Sequence, residues 1–452
     1  MTSLTFYGGA GEIGGNKILL ESEKAKVYLD FGQSFDFGED YFYDWLQPRS
    51  ANGLECYFEF GMMPRVQKLY SKDMLRFTDL KYQKPDVDGV FITHHHSDHV
   101  GHLPFLDESI PLYMGHGTKA ILDAYGALYS SFMDIGEHDT FNLFKSGDKI
   151  PVKDLTFRPV HVEHSTPGAY GYIIEAPEGN IVYTGDFRKL GPKKEMTEEF
   201  ITKAAASKPH IMLCEGTNMT PDPERQYSEE QVYEQVKGVI EDSKGLVFGE
   251  FSMCNIDRFN SFYKAAKEAG RTLIVDTKYA FILDNIKEKV NLPDPKTDDS
   301  LKVYFKLAKS CEFCDTDYYK YEREYMKNMI TYKEIKENPK DYVMFTGFSK
   351  LMELVYLQPE KADYIYSSSE HFLEGEDFQD QRKVLDNWLK HFGITLHKAH
   401  CSGHAGKSDL EYAIKKINPD VLIPIHTQNP EEFKKIHDNV KIPEKSGKIE
   451  VK

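Results

Sequence analysis

The chain has 452 residues, 40% hydrophobic and 13% aromatic, enough for more than one buried core, so two domains are the default. Its formal net charge of −16 excludes a uniformly basic surface that grips nucleic acid through phosphates, while leaving room for a local positive cleft or bound divalent cations. No stretch approaches the roughly 18 uninterrupted apolar residues of a membrane span. The opening MTSLTFYGGAGEIGG lacks the basic and apolar regions of a secretory signal, so a cytoplasmic protein without membrane contact is expected.

In chain order, LTFYG (4–8), KVYLDFG (26–32) and GVFITH (89–94) predict buried strands running into polar loops. Between the second and third, residues 33–86 are rich in aromatics, either a decorated loop packing its own rings or a substrate or partner surface. TKAILDAYGALYSSF (118–132) has helical spacing, and GYIIEA (171–176) with NIVYTGD (180–186) predicts a hairpin turning at Pro177–Gly179. HIMLCEG (210–216) predicts a strand ending in a carboxylate. Helix and strand then alternate. A helix over 228–243 opens at Ser228, GLVFGE (245–250) is a strand, and a second helix covers 257–269. The strands TLIVDT (272–277), YVMFTG (342–347) and DYIYSS (363–368) continue the pattern of a parallel α/β sheet. ITLHKAH (394–400), a helix after Ser408 and VLIPIH (421–426) return to strands that end in histidines. Of six scattered cysteines, Cys311 and Cys314 form a lone C-x-x-C, at most half of a zinc site, and reduced thiols are expected.

His94, His96, Asp98 and His99 form an H-x-H-x-D-H cluster directly after the strand GVFIT. Alternate side chains of a strand leaving its sheet point the same way, which puts His94 with His96, while Asp98 and His99 lie in the next turn and address a neighbouring position. Imidazole suits zinc and a carboxylate can bind or bridge, so the mixture fits two borderline metals close together. His164, Asp186 and His426 stand at the ends of other strands and supply further donors. Each alone reads as an ordinary polar group; together they read as one centre. His95 and His102 are surplus to it.

These segments resemble the metallo-β-lactamase fold: Asp30 in LDFG its first motif, HHHSDH its second, His164 its third and Asp186 its fourth. The resemblance implies one metal on His94, His96 and His164, another on Asp98, His99 and His426, and Asp186 bridging the pair. It implies that Asp30 orients the ligands without binding metal. The wide separation of Asp186 from His426 leaves room for a whole inserted domain, and the remaining signals resemble the β-CASP nucleases. Glu215 in LCEGTN is similar to their acidic motif, His404 in HCSGHAGKSDL to the second and His426 to the third. The implied architecture is α/β: a metallo-β-lactamase αββα sandwich over 1–216 and 386–452, with a β-CASP domain inserted at 217–385.

Within that group GGAGEIGGN (8–16), the H-x-S-G-H-A box at 400–405 and PIHTQ (424–428) resemble ribonuclease J, and the ending soon after the last helix is similar to its short archaeal form. The resemblance implies a hydrolase of single-stranded RNA with a 5′-monophosphate, acting as a 5′-to-3′ exoribonuclease with endonuclease activity, and a homodimer. The metals implied are two divalent ions per chain, zinc or manganese. Asp98, Asp186, Glu215 and His404 would carry the chemistry, with His404 the general acid oriented by Glu215, unless His404 only makes a structural hydrogen bond. His400, Ser402 and Gly403 would wall a 5′-phosphate pocket, and Ser367, Ser368 and Ser369 either face them or form a plain loop. Arg258 and Lys278 would touch phosphates or make surface salt bridges. Other readings are an endonuclease of the cleavage and polyadenylation factor type, a phosphodiesterase acting on DNA or a small ester, and a non-catalytic RNA-binding protein.

Overall fold

The structure is a computed structural model that describes every residue except 44, 129–134, 222–226, 370–372, 374, 376–377 and 452. Among the described residues the strands form three sheets, of seven, six and seven strands. The first runs in the order Lys448–Glu450, Ser3–Gly8, Lys17–Glu21, Lys26–Leu29, Gly89–Phe91, Leu112–Gly115 and Phe141–Phe144. The second runs Val421–Ile425, Ile211–Glu215, Gly179–Tyr183, Tyr170–Ala176, Leu155–His161 and Ile150–Val152, and includes the hairpin expected at 171–186.

Side chains alternate across these strands and sort themselves between two cores. Ile211 and Leu213 join Phe6, Phe91 and Tyr172 in the core between the sheets. Met212 and Cys214 face the other way, against the helices Lys194–Ala206 and Lys407–Ile417. On the outer face of the first sheet Val90, Ile92, Leu112 and Met114 pack with the helix His116–Leu128. Helix, sheet, sheet and helix make the αββα sandwich. The remainder of the helix expected over 118–132 lies outside the described residues.

Ile211–Glu215 and Val421–Ile425 are parallel neighbours, yet the whole third sheet lies between them in sequence. That sheet is parallel throughout, in the order Met329–Ile330, Leu301–Tyr304, Thr272–Asp276, Tyr342–Thr346, Val247–Glu250, Asp363–Tyr366 and Thr395–Lys398. Period-two alternation sorts it too: Val247, Val275 and Val343 pack with the helices Glu229–Asp242 and Ile256–Glu268, and Phe248, Ile274 and Met344 face the helix Gln379–Phe392. One expectation is corrected here. The strand Thr395–Lys398, assigned by sequence to the returning segment 386–452, pairs with Asp363–Tyr366, and Leu385 and Leu389 of the preceding helix pack in the same core. The third sheet therefore extends to Lys398, past the boundary expected at residue 385.

The aromatic stretch packs much of its own length: Leu54, Phe58, Met63, Leu69 and Tyr70 are buried against the first sheet. No helix among the described residues is long and apolar enough to cross a membrane.

Candidate metal centre

The turn that carries the histidine cluster is clasped by the loop after Asp30. Phe31 N–H donates to His99 O at 2.9 Å and Gln33 N–H to Ser97 O at 3.0 Å. The fit leaves no space for a side chain at residue 32, since a Cβ on Gly32 would lie 1.7 Å from the Asp98 carbonyl oxygen. So placed, His96 Nδ1 stands 2.9 Å from His94 Nε2 and 3.2 Å from His164 Nε2. With a carboxylate oxygen of Asp186, these donors all lie within 4.8 Å of one another. Asp98, His99 and His426, again with Asp186, form an equally tight set beside it, with Asp98 Oδ2 2.9 Å from His426 Nε2 and Asp186 Oδ2 3.1 Å from His99 Nε2. All these residues are buried except His96, which is half-buried.

The outward nitrogen of each buried imidazole is held by a second group. Asp30 Oδ2 accepts from His99 Nδ1 at 2.8 Å, from Thr93 Oγ1 at 2.9 Å and from the Tyr183 hydroxyl at 2.5 Å. His164 Nδ1 donates to Gly403 O at 2.5 Å, and Nδ1 of His94 and of His426 meets the hydroxyl of Thr93 and Thr217 at 3.1 and 2.9 Å. Fixing one nitrogen leaves the other lone pair facing the cluster. Asp30 and His426 both adopt left-handed backbone, φ +55° and +52°, a conformation that costs a non-glycine residue about 1–2 kcal/mol. Each is pinned there, Asp30 N–H by Phe91 O at 2.9 Å and His426 N–H by Gly9 O at 2.8 Å.

Burial and neighbouring imidazoles hold His94 and His164 well below the usual imidazole range, and burial takes His96 down to about 4. Against their own burial, His99 and His426 pull Asp98 down to about 2, and His426, His99 and His404 hold Asp186 well below the carboxylate range. Neutral His94, His96 and His164 and ionised carboxylates are the protonation states a cation needs. His99 differs: against its own burial, the Asp186, Asp98 and Asp30 carboxylates raise it well above the imidazole range, and it would give up its proton to bind one. The donors fit that role in a second way: Asp186 Oδ1 is buried with no hydrogen-bond partner among the described residues. A buried carboxylate oxygen left so costs free energy that a cation would recover. The two clusters can each hold a divalent cation, with Asp186 common to both.

On the same face His404 Nδ1 lies 3.3 Å from Glu215 Oε1, 3.1 Å from Thr217 Oγ1 and 3.9 Å from Asp186 Oδ2. Glu215 is fully buried and accepts from Phe187 N–H at 3.2 Å and Thr217 N–H at 3.1 Å. Burial alone would lower the His404 imidazole, but the Glu215 and Asp186 carboxylates outweigh it and raise it to about 9. The His404 side chain stays 21% exposed, so its ring reaches solvent.

The expected phosphate walls are only partly built. Ser402 Oγ accepts from Asn218 Nδ2 at 3.0 Å and His404 N–H at 3.1 Å, which leaves its own O–H free to donate outward. Gly403 is committed through its carbonyl to His164. Burial and the Arg258 charge lower His400 to about 3, so that histidine is neutral. Ser367 departs from expectation: it is buried, its hydroxyl donates to Ala399 O and accepts from Arg258 Nη1 at 2.6 Å. Ser368 and Ser369 remain half-buried. Arg258 makes neither a phosphate contact nor a surface salt bridge, because it is completely buried and paired with Glu229.

Sequence reasoning missed Thr93, Thr217, Tyr183 and Asn218, whose side chains reach Asp30, the cluster histidines or the His404 loop. The available signal was position, since Thr93 precedes the histidine run and Thr217 follows the acidic strand end by two residues. His95 turns away from the clusters to the Thr166 hydroxyl, at 3.0 Å, and the Tyr125 ring. His102 is buried between Phe37 and Phe105. Cys311 and Cys314 belong to none of the donor clusters among the described residues.

Residues 65–232 match the family model of the Beta-lactamase superfamily domain. The chain is similar to ribonuclease J of Mycoplasma pneumoniae, 24% identical over 438 residues, covering 94% of this chain and 68% of that protein. It is 26% identical over 369 residues to ribonuclease J of Sinorhizobium meliloti, covering 77% of this chain and 59% of that one. A crystal structure of a protein of unknown function from Enterococcus faecalis V583 shares the fold, with a TM-score of 0.76, 24% identity and 99% of both chains covered. With the ribonuclease J likeness extending over 94% of the chain and the motif residues gathered on one face, the chain is similar to ribonuclease J and has the metallo-β-lactamase fold.

Proposed function

We propose that the chain is a metal-dependent ribonuclease, chiefly a 5′-to-3′ exoribonuclease, acting on single-stranded RNA that carries a 5′-monophosphate. The observation that carries this reading is the shared position of Asp186, whose Oδ2 lies 3.1 Å from His99 Nε2, 3.6 Å from His94 Nε2 and 3.9 Å from His404 Nδ1. Both donor clusters and a proton donor thus meet at one carboxylate. The likeness to ribonuclease J supports RNA as the polymer. Two divalent cations, zinc for the imidazole-rich donors or manganese for the mixed set, supply when bound the Lewis acidity that activates water and offsets phosphoryl charge.

The protein's own groups do the rest. His94, His96 and His164 on one side and Asp98, His99 and His426 on the other orient the site, and Asp30 fixes the ring of His99. His404, kept protonated by Glu215, holds the proton that the 3′-oxygen takes as the P–O bond breaks. The Ser402 hydroxyl donates to the terminal phosphate, with Ser368 and Ser369 as the opposing wall.

The test is a time course on RNA labelled at a 5′-monophosphate, with divalent metal present. Labelled mononucleotide as the first product is expected, and a 5′-triphosphate slows its release. Early internal fragments that ignore the 5′ end would leave an endonuclease. Hydrolysis of a small ester with intact RNA would remove the reading.

A further inference from the structure

We propose that Arg258, a residue of the third-sheet domain remote from the donor clusters, is a positioning residue that with Glu229 holds the 400–405 loop, and through it His404, at the metal centre. This rests on the reading of His404 as the proton donor.

Arg258 lies in the first turn of the helix Ile256–Glu268 and is completely buried. Its guanidinium is bidentate to Glu229, Nε to Oε1 at 2.8 Å and Nη2 to Oε2 at 3.2 Å. Nη1 donates to Ser367 O at 2.5 Å and more weakly to Ala399 O at 3.4 Å, and Nη2 reaches Cys401 Sγ at 3.5 Å. Ser367 and Ala399 follow the two paired strands Asp363–Tyr366 and Thr395–Lys398. One side chain therefore ties both strand ends where the chain leaves the third sheet for the metal centre. The Cys401 thiol donates back to Glu229 at 3.2 Å.

From the sandwich side Arg188, two residues beyond Asp186 and equally buried, donates to Ser402 O at 3.3 Å and to Asp257 Oδ2 at 2.6 Å. Two guanidinium and two carboxylate groups thus bracket Cys401 and Ser402. Beyond them the loop is attached to the metal cluster's His164 and to the residue after Asp186: Gly403 O accepts from His164 Nδ1, and Ala405 N–H donates to Phe187 O at 2.6 Å.

Four buried charges are a poor way to gain stability, because desolvating each costs several kcal/mol. What they do supply is a fixed geometry, and the Arg258 fork spans partners that one ammonium group cannot. The arrangement sets where His404 stands relative to Glu215; through Gly403 O it also bears on His164, while the groups that hold His94, His99 and His426 lie outside the loop.

The test is a cycle of Arg258→Lys with His404→Ala in the metal-loaded full chain. Arg258→Lys is expected to lower kcat roughly 10- to 100-fold, the loss that follows a misplaced group. Measured at saturating metal, so that any loosening of His164 through Gly403 is offset, KM stays within about threefold, the split expected when an interaction made only in the transition state is lost. In the His404→Ala background the same substitution changes kcat less than about twofold, since its route to the chemistry is gone. Losses that multiply in the double variant overturn the proposal. If Arg258→Lys fails to fold, Glu229→Gln takes its place in the cycle. A second readout needs no RNA: the Ala405 amide exchanges roughly tenfold faster in the variant while strand Ile211–Glu215 keeps its protection. Unchanged exchange at 400–405 overturns the proposal, whereas a wild-type protein that leaves RNA intact overturns the nuclease reading alone.

Discussion

Asp30 and His99 meet in a fully buried contact of 2.8 Å between Oδ2 and Nδ1, and the same carboxylate oxygen takes the hydroxyls of Thr93 and Tyr183. Three donors converge on one oxygen that has no place among the metal-cluster donors. Its effect is on His99, whose ring it orients and whose Nε2 it turns toward Asp98 and Asp186.

Asp30→Asn keeps the shape but removes the charge and can turn an N–H toward the ring. Loss of such an orienting carboxylate costs metal affinity about 10–100-fold. Chelator competition is expected to show this for one of two bound ions, with the other unchanged. Equal weakening of both, or of neither, would contradict the assignment of Asp30 to one cluster.

On the proposed mechanism, His404→Ala removes the proton donor while leaving both donor clusters intact. General acid catalysis contributes about 10²–10⁴-fold, so kcat falls within that range while the dissociation constant for RNA moves little. Equal losses in binding and turnover would instead mean that His404 is a substrate contact.

The pH dependence follows from the pair His404–Glu215. An imidazole raised to about 9 by neighbouring carboxylates is charged through neutral pH and loses its proton as pH climbs past that value. A reaction that needs the protonated ring therefore holds on the acid side and fails on the alkaline side. Glu215→Gln removes the negative charge that favours the imidazolium, so the His404 titration moves down. NMR titration of the metal-free protein is expected to read this shift directly, and the alkaline limb of kcat moves the same way. A shift upward would rule out Glu215 as the cause.

Metal removal is expected to weaken the fold as well as abolish activity, because Asp186 Oδ1 is otherwise buried without a partner among the described residues. At a free concentration one hundred times its dissociation constant, each bound ion stabilises the native state by about 2.7 kcal/mol. Chelation should shift the urea midpoint down accordingly. Asp186→Asn, which alters a donor common to both clusters, is expected to abolish most of that metal-dependent difference. Retention of two ions at unchanged affinity would show that Asp186 is not shared.

Much of the centre was legible because its residues stand at the ends of apolar strands, where period-two patterning is strong. The motifs HHHSDH, VYTGD, LCEG and VLIPIH each sit where a strand runs out. Thr395–Lys398 was misplaced for the opposite reason: its partner, Asp363–Tyr366, is chosen by tertiary packing, and HKAH beside the His404 box reads like part of the sandwich. Ser367 was misread because nothing local reveals that Arg258 consumes its hydroxyl from a helix far away in sequence. Thr93 and Thr217 went unnoticed since a threonine after a strand is ordinary until its hydroxyl meets several side chains at once, three at Thr93 and two at Thr217.

The aromatic stretch 33–86 has two faces, and they should respond to mutation differently. Phe58 is buried against Tyr70, whereas Tyr43 and Trp45 are 84% and 93% exposed. Exposed rings near a nucleic-acid enzyme invite a base-stacking role. Here the local charge argues against it: in the sequence between residues 36 and 59, Asp36, Glu39, Asp40, Glu55 and Glu59 stand against Arg49. A phosphate backbone laid across such a surface meets like charge. Trp45→Ala is therefore expected to leave RNA affinity unchanged and stability within about 0.5 kcal/mol. Phe58→Ala, which empties a packed site, is expected to cost about 3–5 kcal/mol in denaturant unfolding. A severalfold loss of RNA affinity in Trp45→Ala, growing at low salt, would place the substrate on this face despite its charge.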